Sequence, residues 1–294
     1  MIASFPSFSL IKLEDKHAVE QITAQFEPYS DFNFTSLYSW GREAEISLLR
    51  DNLIIRLPDY LTGKLAISVL GTTDLESSLE DMFKVTPTLK LVPEVVVRNL
   101  AGPHRYRLSE DVDNHDYIFD VAALAKMPGG NYKKKRNKVS RVEAYFGSRL
   151  KTQVARLPNL QMLDVIFTDW AAEEGRSSED IKAEYDAFCR LLQASSSFNL
   201  HTTVVLIDGQ PKAFSINEIL SNHYAICHFE KTLNTEDQDL ATYLVRETAI
   251  RLLDMGVTRV NWEQDLGMPG LRQSKASYQP IDYLRKYSIT KLST

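Results

Sequence analysis

The stretch NHYAICHFEKTLNTEDQDLATYLVRETAIRLLDMGVTRVNWE, Asn222 to Glu263, decides how the second half of this chain folds. Its middle is a helix by period. Ala241, Leu244, Val245, Thr248, Ala249 and Leu252 stand at i, i+3, i+4, i+7, i+8 and i+11, one apolar or small stripe along Leu240 to Met255. Gly256 follows, where a helix commonly ends in a left-handed residue. A strand reads over Asn222 to Leu233 before this helix, and another over Thr258 to Glu263 straight after it.

Working backwards, Thr202 to Ile207 and Ala213 to Leu220 are strands parted by the turn Asp208-Gly209, and helices cover Leu160 to Glu174 and Glu179 to Ala194. The first half repeats this order. An apolar run at Phe8 to Leu13 leads to helices at His17 to Phe26 and Phe32 to Trp40, then a hairpin over Glu45 to Leu57 turning at Asp51-Asn52. A strand at Leu65 to Leu70, a helix at Thr73 to Phe83 and a strand at Leu89 to Val97 complete it. The segment Arg105 to Leu150 between the halves holds a strand at Tyr117 to Val121, the breaker Pro128-Gly129-Gly130, and a helix at Tyr132 to Phe146. Strand, two helices, three-strand meander, helix, strand is the order of the GNAT-type acyltransferase fold. The expected class is α+β with mixed sheets, as two tandem GNAT-like domains. Their expected bounds are 1–125, a basic linker helix in 126–150, and 151–294 carrying the site. No sequence repeat is visible between the halves.

Length and composition agree. A chain of 294 residues suits two domains of roughly 150 residues. With 44% hydrophobic and 25% charged residues, the disordered, collagen-like and coiled-coil classes fall away. The net charge of −5 gives no overall attraction to nucleic acid or anionic membranes, so such binding needs a local patch. Two cysteines, Cys189 and Cys227, cannot build a disulfide framework or a cysteine-rich zinc site. No signal-peptide pattern opens the sequence, and no run approaches the ~18 to 20 apolar residues of a membrane span. A cytoplasmic protein without a transmembrane segment is expected.

Three constellations could carry chemistry. The first is the basic run Lys133, Lys134, Lys135, Arg136, Lys138 and Arg141, with no acid among them. On a helix, Tyr132, Val139, Val142 and Phe146 form its buried stripe, and Lys134, Lys138 and Arg141 project away from it. Lys135 and Arg136 fall on or beside the stripe, which makes Arg136 the best candidate for an inward role. Six cations on three turns repel one another. An anionic partner answers that repulsion; a solvated inter-domain helix is the plainer alternative.

The second constellation runs from Asn261 to Tyr278, NWEQDLGMPGLRQSKASY. Asn261, Trp262, Glu263, Gln264 and Asp265 end a strand, and Gly267 and Pro269-Gly270 break the chain beyond them. Open α/β sheets place ligands at such strand ends. If Leu271 to Ala276 makes a helical turn, Arg272 and Lys275 share a face and can hold an anion or a developing oxyanion. Alternatively the acids merely pair with these cations and pin a loop. The third is the connection Glu230 to Ala241. A loop cradling the diphosphate of acetyl-CoA would be glycine-rich and basic; this one has no glycine and carries Glu236, Asp237 and Asp239. His223 and His228 stand five apart on a strand and so face opposite sides, which is no metal pair; each lone histidine reads as structural.

The segments SDFNFTSLYSW (Ser30 to Trp40), MPGGNYKKKRNKVSRVEAYF (Met127 to Phe146), AFSINE (Ala213 to Glu218), HFEK (His228 to Lys231) and VNWEQDLGMPGLRQSKASYQP (Val260 to Pro280) resemble a bacterial family. It is the family related to the C-terminal domain of phosphatidylglycerol lysyltransferases. The resemblance spans nearly the whole chain. It implies tandem GNAT-type domains and kinship with Fem-type aminoacyltransferases and leucyl/phenylalanyl-tRNA–protein transferases, which move an aminoacyl group from aminoacyl-tRNA to an amine or hydroxyl.

The expected function is acyl or aminoacyl transfer in the C-terminal domain. Arg272 and Lys275 would stabilise the oxyanion, and Glu230, Glu263 or Asp265 would orient or deprotonate the acceptor. Lys135, Arg136 and Lys138 would bind donor phosphates, with Asn261, Gln264 and Tyr278 as further substrate contacts. The helix Lys133 to Arg141 would meet a tRNA 3′ end, an anionic metabolite or a lipid headgroup. No cofactor or metal is assigned; the donor would be an aminoacyl-tRNA or an acyl-CoA. Two alternatives stand: an acetyl-CoA-dependent N-acetyltransferase, and a non-enzymatic protein binding RNA or an anion. Alanine at Arg272 or Lys275 is expected to abolish transfer without unfolding the chain.

Overall fold

A computed structural model describes residues 2–41, 43–156, 159–173, 178–220, 223–234 and 239–292. Expectations on residues 174, 222 and 235–238, the loop acids Glu236 and Asp237 among them, lie outside the described residues. The chain forms two compact units. The first comprises Met1–Asp116, Gln264–Gln273 and Tyr283–Thr294; the second comprises Tyr117–Glu263 and Ser274–Asp282. The basic segment 126–150 thus sits within the second unit, and the tail returns to the first.

In the first unit, β1 (Ala3–Ser4) and β2 (Ser9–Leu10) precede α1 (Lys16–Thr23) and α2 (Phe34–Trp40). Then come β3 (Glu45–Leu49), β4 (Asn52–Pro58), β5 (Leu65–Leu70), α3 (Leu75–Met82), β6 (Thr88–Pro93), α4 (Glu94–Arg98) and β7 (Tyr106–Glu110). One sheet has the order β1-β3-β4-β5, with β2 also on β3. The β3–β4 hairpin turns on Arg50 and Asp51, at φ 50° and 64°, one residue before the expected pair. Two left-handed residues in succession match the twist of the flanking strands. Asn52 is excluded from the turn because its buried side chain donates to Thr73 O (2.7 Å) and Ser78 Oγ (3.1 Å). The strand expected over Leu89 to Val97 stops at Pro93, which has no N–H for a ladder, and Glu94 opens α4 with an acid suited to a helix start. Strands β5 and β6 belong to different sheets, and the apolar side chains of Ile67, Val69, Leu79, Met82, Leu89 and Val92 pack together around them.

The second unit holds β8 (Asp116–Asp120), α5 (Val121–Lys126), α6 (Lys133–Phe146), β9 (Leu150–Ala155), α7 (Leu160–Glu173) and α8 (Ser178–Gln193). It continues with β10 (Leu200–Ile207), β11 (Gln210–Ile219), β12 (Tyr224–Thr232), α9 (Leu240–Asp254) and β13 (Arg259–Asn261). Its strands lie side by side in the order β8-β13-β12-β11-β10-β9. The predicted α9 stripe is buried from Leu244 through Val245, Thr248 and Ala249 to Leu252, while its first member, Ala241, is exposed at the helix start; Val139, Val142 and Phe146 of α6 pack with Leu240, Tyr243 and Leu244. Beyond β13 run α10 (Pro269–Ala276), β14 (Asp282–Leu284) and β15 (Lys286–Lys291). Strand β15 inserts between β6 and β7 in the first unit. Among the described residues, no helix is long and apolar enough to cross a membrane.

Lys286 at the start of β15 is wholly buried beside Asp31 and Asp116, both also wholly buried. Its Nζ donates to Asp116 Oδ1 (2.7 Å) and pairs with Asp31. Asp116 also accepts from the Ser30 amide (2.8 Å) and hydroxyl (2.7 Å), and Gln264 Nε2 donates to Ser30 Oγ (2.8 Å) and Asp31 Oδ1 (3.0 Å). Two carboxylates thus share one ammonium. Burial pushes Asp31 up to about 6; Lys286 pulls it down and Asp116 raises it again.

Lys286→Met should cost about 3–5 kcal/mol in urea unfolding, because it strands two buried carboxylates. Asp116→Asn should also destabilise, since Asp116 accepts from the Ser30 amide, the Ser30 hydroxyl and Lys286. A carboxyl raised in the folded state binds its proton more tightly there. Its stabilising contribution is present at pH 4 and is lost as pH rises through about 6. Asp31→Asn should remove that slope.

Candidate active site

The pairing of β12 with β13 is brief. Tyr224, Ala225 and Ile226 lie opposite Arg259, Val260 and Asn261, and there the parallel ladder ends. Strand β12 runs on to Thr232, paired with β11 on its other side. The register against β11 slips between Ile216 and Asn217, which face Phe229 and Cys227, so His228 is the extra residue of a β-bulge. The two central strands therefore diverge, with the bulge at the point of divergence.

The end of β13 is bent by its own side chains. Asn261, fully buried, accepts the Glu263 N–H on Oδ1 at 2.6 Å, a local turn that takes the chain out of the sheet. Glu263 adopts φ 56°, a left-handed conformation costly for a residue with a Cβ. Its carbonyl accepts from the Tyr117 amide (3.2 Å) and from Lys275 Nζ (3.2 Å), and Lys275 also donates to the Trp262 carbonyl. Lys275 thus holds the strand end from α10, with its ammonium 5.6 Å from the Tyr117 ring centroid.

This bend brings Glu263 to His228. The imidazole lies between two carboxylates, Nε2 3.4 Å from Glu218 Oε2 and Nδ1 3.5 Å from Glu263 Oε1. Burial alone would lower His228; its hydrogen bonds to Glu218 and Glu263, and their charges, hold it up at about 9. Glu230, two residues along β12, is exposed to solvent. Desolvation by the surrounding chain still pushes it up to about 7 against the pull of Lys231 and Lys275. The Cys227 thiol is raised by burial and by Glu230 and Glu263, which keeps it protonated and removes it as a nucleophile.

The remaining expected site residues divide. Tyr278 is buried against Trp262 (ring centroids 5.2 Å apart), accepts the Tyr132 hydroxyl on its carbonyl (2.6 Å), and carries the Lys135 ammonium 3.5 Å over its ring. Lys135 is brought down to about 8 by burial and by Lys138, while Asp239 opposes. Arg136 is exposed and donates to the carbonyls of Met127 (2.5 Å) and Gly129 (2.7 Å), so it braces the turn before α6. Lys138 and Arg141 both pair with Asp239, at 2.7 and 2.8 Å, which offsets two of the six cations internally.

Three expected residues fall in the first unit. Asp265 is buried and holds Arg272 through two hydrogen bonds of 2.7 Å, and Arg272 also donates to Asp113 (2.6 Å). A base needs an oxygen facing substrate, and Asp265 spends its oxygens on Arg272 and on the Gly267 amide (2.8 Å). Through Nε and Nη2 Arg272 ties this loop to Asp265 and Asp113. Gln264 is tied to Ser30 and Asp31. Sequence reasoning takes His228 as a lone structural histidine and does not single out Glu218, because the carboxylates beside the ring come from other strands.

The family model for the C-terminal region of phosphatidylglycerol lysyltransferase matches residues 82–290. The chain belongs to this family. Comparison with proteins of curated function gave no match. Among solved structures, a conserved protein of unknown function from Bacteroides thetaiotaomicron is similar over 99% of this chain and 100% of its own, at 23% identity and TM-score 0.83. L-PGS from Bacillus licheniformis matches over 99% of this chain and 94% of its own, at 14% identity and TM-score 0.62. A tandem GNAT protein from the clavulanic acid biosynthesis pathway matches over 98% and 99%, at 11% identity and TM-score 0.50. FemX is a further match. These likenesses establish a mixed α/β, GNAT-like fold for this family member.

Arg272→Ala strands the buried Asp265 carboxylate and should lower stability by about 1–3 kcal/mol. Thermal melts of Arg272→Ala and Arg272→Lys check this, with lysine restoring only part of the loss because it cannot reproduce the two-pronged contact.

Proposed function

We propose that the chain is an aminoacyltransferase whose donor ester enters between the diverging ends of β12 and β13. The observation that carries the reading is Glu230: a carboxyl poised near neutrality, reachable by solvent, beside the ammonium of Lys275. Ionised Glu230 takes the proton from an acceptor amine or hydroxyl as that group attacks the ester carbonyl. Lys275 supplies positive charge to the oxygen that becomes the oxyanion. The ester C–O bond then breaks, and the tRNA hydroxyl leaves with the proton that Glu230 had taken, which returns Glu230 to its ionised form. Glu263 orients the acceptor, and Tyr278 and Lys135 form the neighbouring wall.

Helix α6 supports a polyanionic donor. Lys133, Lys134 and Lys135 open the helix, where the dipole disfavours cations, and Lys133 and Lys134 are exposed. A nucleic-acid 3′ end would relieve that repulsion. The tandem reading is supported by likeness between the units, since β5-α3-β6 and β12-α9-β13 are both strand–helix–strand passages whose strands diverge. The first is filled by apolar side chains, which leaves the second as the reacting one.

The test is transfer of radiolabelled amino acids from a mixed aminoacyl-tRNA pool to amine and hydroxyl acceptors. Wild type should move the label. Glu230→Gln and Lys275→Ala should each lose roughly a hundredfold or more while keeping the wild-type fold by circular dichroism. The wild-type rate should fall as pH drops through about 7, because Glu230 acts ionised, and Glu230→Gln should flatten that limb. Undiminished transfer in both variants contradicts the assignment.

A further inference from the structure

Two carboxylates stand at the open end of the strands, and their surroundings differ. Glu230 rises from β12 exposed and under the charges of Lys231 and Lys275, whereas Glu263 points its Oε1 at the imidazole of His228. His228 is buried, held by the bulge, and backed by Glu218 of β11, itself buried. A neutral imidazole carries one N–H and can donate to one carboxylate; only the doubly protonated ring donates to both. Glu218, His228 and Glu263 then carry a net single negative charge, and an uncompensated second carboxylate in the core is avoided.

We infer that His228 is a positioning residue that stays protonated and holds Glu263 as an oriented carboxylate, leaving Glu230 to exchange the proton. This rests on the transferase reading for its consequence and on geometry for its existence. A core histidine with no such task needs one hydrogen-bond partner. Here the bulge, the Asx turn of Asn261 and the left-handed Glu263 all serve to bring a second carboxylate to the ring. Two carboxylates with separate environments can take separate roles in one step. Among the described residues, Glu218 from β11 and Glu263 from the end of β13 are the charged groups paired with the ring, with Glu230 farther along its own strand.

The experiment is nitrogen NMR of the imidazoles in the full chain, with the His228 signals assigned from His228→Gln. Both ring nitrogens of His228 should remain protonated at pH 8, and Glu263→Gln or Glu218→Gln should lower the midpoint by a unit or more. In the transfer assay, His228→Gln, Glu263→Gln and the double variant should lose kcat to a similar extent with donor KM little changed, because the two residues act as one. A midpoint near 6.5 that ignores Glu263→Gln overturns the proposal. So does a His228→Gln protein that turns over like wild type. The NMR result needs no donor, so a protonated ring coupled to Glu263 in a protein that transfers nothing would fault the transferase reading and not the role of His228.

Discussion

The site depends on one constraint: β12 and β13 pair for three residues and then part. Parallel strands gain from every further ladder bond, so ending the ladder early needs a cause. Two are built in. The bulge at His228 turns β12, and the Asn261 side chain takes the Glu263 N–H and turns the chain out of β13. Lys275 then binds the carbonyls exposed by that turn. Each device consumes a polar group that would otherwise lie unsatisfied in the core.

Charge is distributed by the same economy. Several cations are matched internally: Arg272 by Asp265 and Asp113, Lys138 and Arg141 by Asp239, and the buried Lys286 by Asp31 and Asp116. Arg272 makes the carboxylate contacts that the loop-pinning alternative calls for. The proposed chemistry draws on Glu230, Glu263, Lys135, the exposed Lys133 and Lys134, and an ammonium at Lys275 that serves the strand end as well. The ionic cluster of the first unit ties down Asp116 and Gln264, and these are the residues at which the chain leaves that unit and comes back.

Much of this was legible in the sequence. Period gave α9, α7 and α8 nearly to the residue, and the Asn261 to Tyr278 stretch does contain the bent strand end and its cap. The strand Tyr106–Glu110 and the two C-terminal strands were not foreseen, since short strands finished by a distant segment leave little local pattern. Glu230 and Glu263 were readable as acids near a strand end. His228 was not, because a lone histidine on a strand reads as structural and its carboxylate partners come from segments distant in sequence. Arg272 and Lys275 look equivalent at a spacing of three, yet only three-dimensional packing reveals that one faces a buried carboxylate and the other two carbonyls.

The central claim is that the donor occupies the gap between β12 and β13. Backbone hydrogen exchange tests it most directly, with the protein alone, with deacylated tRNA and with aminoacyl-tRNA. The account predicts slowed exchange over residues 227–232 and 261–263 with aminoacyl-tRNA beyond any effect of the deacylated form. Exchange there that is the same in all three conditions would contradict it.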